Sequence, residues 1–419
     1  NGGGMEPEAI PLLLGRMLTG TKFTHKQSRG TFGLGGSLAL LYGQVTTQKP
    51  IRVVTSRPGS GIENELTMRL DIEENRPTII GKSQRVNTTN THGTRVRFSL
   101  QGDWLRSKRK IIEYINQTSI IVPYASLLFE NPDGETLAFP RVVHQMPEPP
   151  REMQPHPLGI DVEMLKKLLS ETNSRTLGTF MINSFQRVGE ATARSFLQEA
   201  ELEYERTPDS LNTREVIDMM RAMECFEDFI APSSDCLSPL GEGVLRAGLE
   251  RLNPEYSVVT QRSPSAYEGH PFIVEVGIGY GGDVEPGMYR FANKIPLLYD
   301  EGSDVSTKVV KELNLKHYGL KKEDPIAFLT HICSTKIPYK TVGKEYIGDV
   351  DVIRREIDLG FKDCLRRLGK RVRRRNRVKR AKKRENRLQK YYEFMSAVLS
   401  DSLKREIGAD HLFSGDETL

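Results

Sequence analysis

Four glycines lie close together near the start of the chain, at Gly30, Gly33, Gly35 and Gly36, and an apolar run follows them directly. Glycine has no Cβ, so the backbone N–H groups of such a segment can approach an anion closely. The run from Ser37 onward is typical of a helix, and a helix N-terminus that follows a glycine-rich segment is suited to phosphate. An ordinary flexible turn fits the same pattern.

Two common phosphate motifs do not fit this segment. The dinucleotide-binding fingerprint needs a strand immediately before its glycines, and "TKFTHKQSRG" at 21–30 is not strand-like. The P-loop needs Gly-Lys-Ser/Thr at its end, and that sequence does not follow here.

The positive charge of the chain is concentrated in one segment. The net charge is +5, but residues 366–390 contain fifteen lysines and arginines and one acid, which leaves 45 bases against 54 acids elsewhere. Such a block suits DNA phosphates or an acidic partner, while a solvated helix face is the alternative. The candidate DNA contacts in it are Arg371, Arg373, Arg374, Arg375 and Arg377.

Composition limits the remaining classes of function. The chain is 37% hydrophobic and 27% charged, and no run reaches the roughly 18 apolar residues of a membrane helix. Its four cysteines are scattered without metal-ligand spacing, so we expect reduced thiols, an intracellular location and no zinc module. Trp104 is expected in the core, and His270 and His331 are expected to be structural.

The elements that must position these residues form five predicted segments. Residues 1–145 mix helices with successive strands, which predicts an α+β sandwich with one helical face. Residues 146–159 contain five prolines and read as a stiff linker. Residues 160–232 are helical throughout, 233–365 are α/β again, and 366–419 form a basic helical extension that continues an apolar stripe from Ile353 to Val372.

Three short motifs together resemble the GHKL (Bergerat-fold) ATPases. "NGGGM" at the start matches Asp-x-Gly-x-Gly without its Asp, the glycines at 30, 33 and 35 match that family's phosphate lid, and "HGT" follows at 92–94. The resemblance implies that the first glycines shape an adenine pocket and that the second group covers the phosphates.

Longer blocks extend the resemblance over nearly the whole chain. "VPYASLLFENPDG", "EGHPFIVEVGIGYGG", "RFANKIPLLYDEGSDV" and "CSTKIPYKTVGKEYIGD" look like the family of DNA topoisomerase VI B subunits. This family implies a GHKL sandwich, a helix–two-turn–helix domain, a transducer domain with a ribosomal-protein-like βαβ fold, and a long C-terminal helix. The proline linker and the change near residue 233 fall where that arrangement places its boundaries.

The resemblance also implies the site residues. Lys336 of "STKIPYK" aligns with the family's switch lysine, which reaches the γ-phosphate of ATP from the transducer. The predicted ATP-binding residues are Gly2, Gly4, Thr21, Lys22, Gly30, Thr31, Phe32, Gly33, Leu34, Gly35, Gly36, Ser37, Thr94 and Lys336. Arg187 and Arg194 flank a helical turn that related domains use on DNA, with plain surface arginines as the alternative, and Lys316 lies in a motif that family members use near DNA.

Several positions depart from the family pattern. Ser37 stands where members often have Lys, and Leu315 and His317 interrupt Trp-Lys-x-Tyr around Lys316 and Tyr318. The helix that supplies the family's general-base Glu and Mg²⁺-binding Asn is not in these 419 residues. We therefore expect no metal ligand in this chain and no ATP hydrolysis by it alone.

The function implied is that of an ATP-binding B subunit, with ATP and Mg²⁺ as cofactors. Two B subunits would dimerise on ATP, capture duplex DNA, and pass it through a break made by the A subunit in an A2B2 heterotetramer, which relaxes and decatenates DNA. The alternatives are a GHKL chaperone or mismatch-repair-like ATPase gate, and a non-hydrolysing B-like scaffold. The implied location is intracellular and chromosomal, without a membrane.

Overall fold

The structure of the protein is a computed structural model that describes residues 2–17, 26–28, 30, 34–71, 73–341 and 343–403. Its first part is an antiparallel sheet of four strands in the order β3-β2-β1-β4. The elements are α1 (Ala9–Gly15), α2 (Gly35–Thr47), β1 (Ile51–Ser56), β2 (Ile62–Asp71), β3 (Arg76–Val86) and β4 (Gly93–Arg97).

The two helices cover one face of this sheet. Ile10 of α1 and Leu40 of α2 are buried against Ile51, Val53 and Met68 of the first two strands. Side chains of a strand alternate between its two faces, so the residues at 51 and 53 enter the same apolar layer. The predicted mixture of helices and successive strands, with one helical face, is confirmed for this sheet.

A connecting unit follows the sheet and contains α3 (Trp104–Ile121), β5 (Leu127–Glu130) and β6 (Thr136–Phe139). The expectation that Trp104 lies in the core is wrong. Its ring is half-buried at the start of α3, and its Nε1 donates a hydrogen bond to Asp133 Oδ2 at 3.0 Å. The indole N–H has to find an acceptor, and the exposed carboxylate after β5 provides it.

Four helices form the next part, which has its own apolar core. They are α4 (Val162–Glu171), α5 (Leu177–Ser184), α6 (Glu190–Glu199) and α7 (Thr213–Cys225). Phe180, Phe185 and Phe196 are fully buried among them. Asn212 and Glu215 cap α7 reciprocally, which satisfies donors that the first turn of a helix leaves free.

The third part is a sheet in the order β11-β10-β12-β9-β7, with β8 paired to β9. Its elements are α8 (Gly241–Leu249), β7 (Tyr256–Gln261), β8 (Ser265–Tyr267), β9 (His270–Tyr280), β10 (Gly287–Ala292), β11 (Ile295–Pro296), α9 (Val305–Glu312), β12 (Ile326–Ser334) and α10 (Asp351–Leu403). Strands β10 and β12 are parallel. A parallel pair needs a crossover, and α9 lies within it, so the predicted βαβ unit is present.

Helices cover both faces of this sheet, which explains why β9 and β12 are buried along their whole length. Helices α9 and α10 pack on one face. Helices α3 and α8 pack on the other, where a Cβ at Gly248 would lie 1.9 Å from the carbonyl oxygen of Ile120. Strands with two covered faces read as continuous apolar runs, as β9 does.

The long helix α10 confirms the predicted apolar stripe. Ile353, Ile357, Phe361, Leu365, Leu368 and Val372 are all buried against the sheet. The helix continues without a break through residues 365 and 366, so the predicted boundary there does not coincide with the end of an element. Beyond Val372 its side chains are mostly exposed.

The predicted fold class, an α+β multidomain chain with an all-helical part and a long C-terminal helix, is confirmed. The predicted boundaries between the domains stay predictions. No helix within the described residues has the length and apolar character needed to cross a membrane.

Candidate nucleotide-binding and DNA-facing sites

The N-terminal glycines lie beside the adjacent ends of β1 and β4. Gly4 has φ +69°, and a Cβ there would lie 2.3 Å from the carbonyl oxygen of Ser56, so only glycine fits. The next residue, Met5, donates its N–H to Thr55 Oγ1 at 2.9 Å. The hydroxyls of Thr55 and Thr94 are 3.1 Å apart across the strand pair. Gly4 and Thr94, predicted from separate motifs, are therefore brought to one place.

A cavity of about 260 Å³ opens at this place. Its lining is mostly polar and comprises Val54, Thr55, Ser56, Glu63, Thr91, His92, Gly93, Thr94 and Arg95. His92 Nδ1 donates to the carbonyl of Gly2 at 2.7 Å, which ties the first residues to the "HGT" turn. Hydroxyl, carboxylate and backbone groups around a small cavity can orient a polar ring by hydrogen bonds.

Some of the predicted ATP-binding residues lie outside the described residues. They are Thr21 and Lys22, together with Thr31, Phe32 and Gly33 of the predicted phosphate lid. Leu34 is the N-cap of α2 and makes no side-chain cap, while Gly35 and Gly36 form its first turn and have open space where a Cβ would point.

Ser37 and Gly30 complete the described part of that segment. Ser37 is 2% exposed, so its hydroxyl is directed away from open solvent rather than presented on the surface as a lysine would be. A Cβ on Gly30 would lie 3.3 Å from Lys344 Nζ, which comes from the loop after β12. The glycine-rich segment thus lies next to the third part of the chain.

The residues just before the glycines are hydrogen-bonded to that third part. Gln27 is buried and its Oε1 accepts from the N–H of Ser238 at 2.6 Å. The carbonyl of Ser28 accepts from Asn293 Nδ2 at 2.9 Å. Both contacts use buried groups, so they fix the position of this segment on the neighbouring sheet.

Lys336 lies in the loop that follows β12. Its side chain is 62% exposed, and its Nζ is 3.9 Å from Glu268 Oε2. An exposed ion pair of this length contributes little energy, so the ammonium is free to change partner. The structure brings Lys336 together with Glu268, and it does not bring Lys336 together with Thr94.

A buried polar network lies under the same loop. Glu275 is fully buried in β9 and accepts hydrogen bonds from the N–H groups of Leu240 and Gly241, at the start of α8. His331 Nδ1 donates to Glu275 Oε2 at 2.8 Å, and His331 Nε2 accepts from the N–H of Lys294 at 3.0 Å. The prediction that His331 is structural is confirmed, because both ring nitrogens are used.

Within the described residues, Glu275, His331 and Cys333 form the one group whose side chains could together hold a metal ion. Their atoms are already occupied by hydrogen bonds, and Cys333 Sγ lies 3.6 Å from the carbonyl of Ser238. Burial raises the pKa of the Cys333 thiol well above its usual value, so it is a thiol and a poor ligand. This group does not fit a metal ion.

Most candidate DNA contacts on α10 are exposed, but one is not. Arg371, Arg373, Arg374 and Arg377 face solvent, and Arg371 also donates to the carbonyl of Ser257 at 3.3 Å.

Arg375 differs from the prediction. It binds Glu255, donates to Tyr280 Oη at 3.1 Å, and lies over the rings of Tyr256 and Tyr280. Since its guanidinium is used within the protein, we interpret Arg375 as an anchor for α10 and not as a phosphate contact.

The two arginines of the helical part are also unlike each other. Arg187 is exposed and has φ +61°, in the turn before α6. Arg194 pairs with Glu190 at 2.8 Å and lies 4.1 Å from the Tyr204 ring centre. Arg187 is therefore presented at the turn, while Arg194 is held on its own helix. Lys316 is exposed in a short 3-10 helix before Gly319.

Fold and sites together define a multidomain α+β protein with a small polar cavity at one sheet, a second sheet contacting it through a glycine-rich segment, and a basic helix. The family described as "Topoisomerase VI B subunit, transducer" matches residues 232–384. The B subunit of type 2 DNA topoisomerase 6 from Sulfurisphaera tokodaii is 40% identical over 424 residues, 99% of this chain and 79% of that protein. The protein of the same name from Metallosphaera sedula is 40% identical over 96% of this chain and 77% of its own. The chain belongs to the family of topoisomerase VI B subunits.

Solved structures give weaker likenesses. The B subunit of DNA gyrase from Myxococcus xanthus has a TM-score of 0.35 at 12% identity, covering 81% of this chain and 70% of that one. The 43K ATPase domain of Thermus thermophilus gyrase B, in complex with an aminocoumarin, has a TM-score of 0.33 at 12% identity, covering 93% and 82%. Scores at this level add nothing to the assignment.

Sequence reasoning missed Gln27, Asn293 and Glu275. Glu275 could have been found as a lone acid inside the apolar run "PFIVEVGIGY". Asn293 stands in a two-residue break between strand-like segments, which is a hairpin signal. Gln27 carries no such signal, because its contact is with a residue 211 positions away.

Proposed function

We propose that this chain is the ATP-binding B subunit of a topoisomerase VI, in which ATP-driven dimerisation of B subunits captures one DNA duplex and gates its passage through another. The observation that carries the proposal is the match to type 2 DNA topoisomerase 6 B subunits over 99% of the chain.

The nucleotide side of the proposal rests on the cavity beside Gly4. We assign the adenine of ATP to the cavity lined by Thr55 and Thr94, because the hydroxyls of these two residues can accept or donate hydrogen bonds. Gly4 lies beside it, in close contact with the carbonyl of Ser56. Gly2 borders it through its bond to His92. The phosphates would lie toward the first turn of α2, whose N–H groups have no side-chain cap.

Lys336 is assigned the role of sensing the terminal phosphate. It is a long, exposed cation on a different sheet from the cavity, and its ion pair with Glu268 is weak enough to be exchanged for a phosphate. A charge that contacts only the γ-phosphate distinguishes ATP from ADP, and this difference can shift the arrangement of the two parts.

Mg²⁺ is assigned to no residue of this chain, because the one described group with metal-ligating side chains is fully hydrogen-bonded inside the protein. The chain also offers no counterpart of the family's general-base Glu among the residues matched to its motifs. We therefore propose that a polypeptide limited to these 419 residues binds ATP weakly and does not hydrolyse it.

The remaining partners follow from the same family and from charge. We propose association with an A subunit, which makes the DNA break, in an A2B2 heterotetramer that acts on duplex DNA inside the cell, on the chromosome. The exposed basic residues of α10 support contact with DNA, since the rest of the chain is net acidic. All four cysteines are free, which agrees with a reducing compartment.

The alternative classes have less support. A chaperone or mismatch-repair-like gate does not require the helical part or the basic helix, both of which are present. A non-hydrolysing scaffold does not require the glycines around the cavity, yet Gly4 is held where no other residue fits.

The test uses the full-length B subunit assembled with its A subunit. ATP-dependent decatenation should be lost when Lys336→Ala is introduced and retained in Lys322→Ala, which removes another exposed lysine of the same part of the chain. The thermal transition of both variants should match the parent. Equal decatenation by the Lys336→Ala variant and the parent would refute the role of Lys336, and decatenation without ATP would refute the proposal as a whole.

A further inference from the structure

The turn between β10 and β11 has an unusual backbone. Asn293 and Lys294 both have positive φ, +48° and +67°. A two-residue hairpin turn of this kind needs positive φ at both positions, and Asn suits the first. The second is normally glycine, so a lysine there is strained, and such strain persists only where surrounding contacts hold it.

Those contacts join the turn to two other segments. The Asn293 amide is buried, with its Nδ2 donating to the carbonyl of Ser28 and to that of Ser334, both at 2.9 Å. Its Oδ1 accepts from the N–H of Ser334 at 3.0 Å. Nδ2 therefore has two acceptors and Oδ1 has one donor, and one of the Nδ2 bonds reaches out of the sheet to Ser28, two residues before Gly30.

Ser334 passes the connection on to Lys336. Its hydroxyl oxygen accepts from the N–H of Lys336 at 3.1 Å, and its single hydrogen faces the carbonyls of Pro271 at 2.9 Å and of Lys336 at 3.0 Å. The path from Ser28 to the backbone of Lys336 therefore consists of one side-chain amide and one hydroxyl, and its members are buried or half-buried.

Lys294 makes a second, parallel connection. Its Nζ lies 2.7 Å from Ser238 Oγ, and the N–H of Ser238 donates to Gln27 at 2.6 Å. The turn is thus linked to Ser28 directly through Asn293, and to Gln27 indirectly, through Lys294 and then Ser238. The contacts of Asn293 with Ser334 join the turn to its own sheet, whereas the Asn293–Ser28 and Lys294–Ser238 contacts join it to segments outside that sheet.

We propose that Asn293 is a positioning residue that couples the glycine-rich segment to the loop of Lys336, so that the two respond to nucleotide together. This inference rests on the proposed function, in which ATP lies under the glycines and Lys336 meets its terminal phosphate. A shift of Ser28 changes the geometry at Asn293, and the amide transmits it to Ser334, because Nδ2 donates to the carbonyls of both residues while Oδ1 accepts from Ser334.

The experiment uses Asn293→Gly in the full-length enzyme with its A subunit. Glycine keeps the left-handed turn without strain and removes only the amide. The matched control is Asn253→Gly, which alters another left-handed asparagine of the same sheet domain whose amide binds Asp283 and nothing near the site. Asn293→Asp is a second variant, since it keeps the acceptor for Ser334 and loses the donor to Ser28.

Asn293→Gly should lower kcat for ATP hydrolysis about tenfold, at nearly unchanged KM and thermal transition, since a buried hydrogen bond to a backbone carbonyl is lost. Adding Lys336→Ala should then lower kcat no further than Lys336→Ala does alone, because both changes break one pathway. Asn293→Asp should resemble Asn293→Gly, and Asn253→Gly should resemble the parent.

The outcomes distinguish a failure of the proposed coupling by Asn293 from a failure of the proposed function on which it rests. Multiplicative effects of the two changes, or a parental kcat in Asn293→Gly, would overturn the coupling while leaving Lys336 in place. A loss of thermal stability in Asn293→Gly and Asn293→Asp that accounts for the lost activity would show a structural role instead. A parental kcat in Lys336→Ala would overturn the proposed role of Lys336, and with it the coupling, while decatenation without ATP would overturn the proposed function itself.

Discussion

The exposed face of α10 gives the sharpest test of DNA contact. Arg373, Arg377, Arg380 and Arg384 are spaced at four, three and four residues, so they form one stripe along the helix, and all four are exposed. We expect replacement of all four by Gln to weaken DNA binding uniformly across sequences, because phosphate contacts carry no sequence information.

The size of the effect follows from the number of charges. Each phosphate contact on duplex DNA contributes about 0.9 to the slope of log affinity against log salt, so four contacts account for about 3.6. Between about 50 and 200 mM salt, the affinity of the parent should therefore fall about 150-fold more than that of the variant. Stability should change little, because the four side chains are solvated.

The matched control is Arg375→Gln on the other side of the same helix. Arg375 is 19% exposed and binds Glu255 and Tyr280, so its loss should lower the free energy of unfolding by about 2 kcal/mol. It should leave the salt slope unchanged, because its charge already has a partner within the protein.

The assay is DNA binding by the B subunit alone, by fluorescence anisotropy at four salt concentrations, with a thermal melt of each variant. An unchanged slope in the fourfold variant would refute the DNA assignment. If association with the A subunit is lost instead, the stripe is a surface for that partner. A changed slope in Arg375→Gln would refute the distinction drawn between the two faces.

Three further predictions concern the third part of the chain. The hydrogen bond from Arg354 lowers the pKa of Asp349 to about 2. The ionised carboxylate therefore stabilises the folded protein above about pH 4, and this stabilisation is lost as the pH falls toward 2. Asp349→Asn should lower the free energy of unfolding by about 1 to 2 kcal/mol at pH 7 after allowance for solvent screening, and urea melts of the two proteins should converge at pH 2. Burial raises the pKa of Cys236 to about 11 and that of Cys364 to about 12. A thiol reagent at pH 8 should therefore label the exposed Cys225 alone in the folded protein and all four cysteines in denaturant. Labelling of a second cysteine before unfolding would contradict this prediction. Glu275→Gln should lower the free energy of unfolding by about 3 kcal/mol, because Gln offers one uncharged acceptor where the carboxylate receives three hydrogen bonds. A thermal melt like that of the parent would show that this network is not needed for stability.

Much of the fold could be predicted from local patterns. The strands at 51–56 and 93–97 and the stripe from Ile353 to Val372 follow from periods of two and of three to four residues, which depend only on neighbours in sequence. Trp104 was placed wrongly because burial depends on what covers a residue, and its half-buried indole lies beside the ring of Phe129 and the ammonium of Lys108 at the surface.

In the candidate site, too, the residues within local motifs could be predicted and the contacts that depend on the folded structure could not. Gly4 and Thr94 could be predicted because a motif is a local signal, and they meet because β1 and β4 are paired. The intramolecular contacts of Arg375 could not be predicted, because charge density along a helix does not show which side of the helix faces the protein.

The contacts that sequence reasoning could not reach all join the glycine-rich segment to the second sheet. Gln27 meets Ser238, and Ser28 meets Asn293, across separations of 211 and 265 residues. No period or motif encodes such a pair, because each partner is an ordinary polar residue in its own sequence context. Their burial is the informative property, since a buried amide without a partner is costly, and the contacts of Gln27 with Ser238 and of Asn293 with Ser28 form only when the two parts are together. We therefore expect a nucleotide bound at the glycine-rich segment to act on the third part of the chain through these polar contacts.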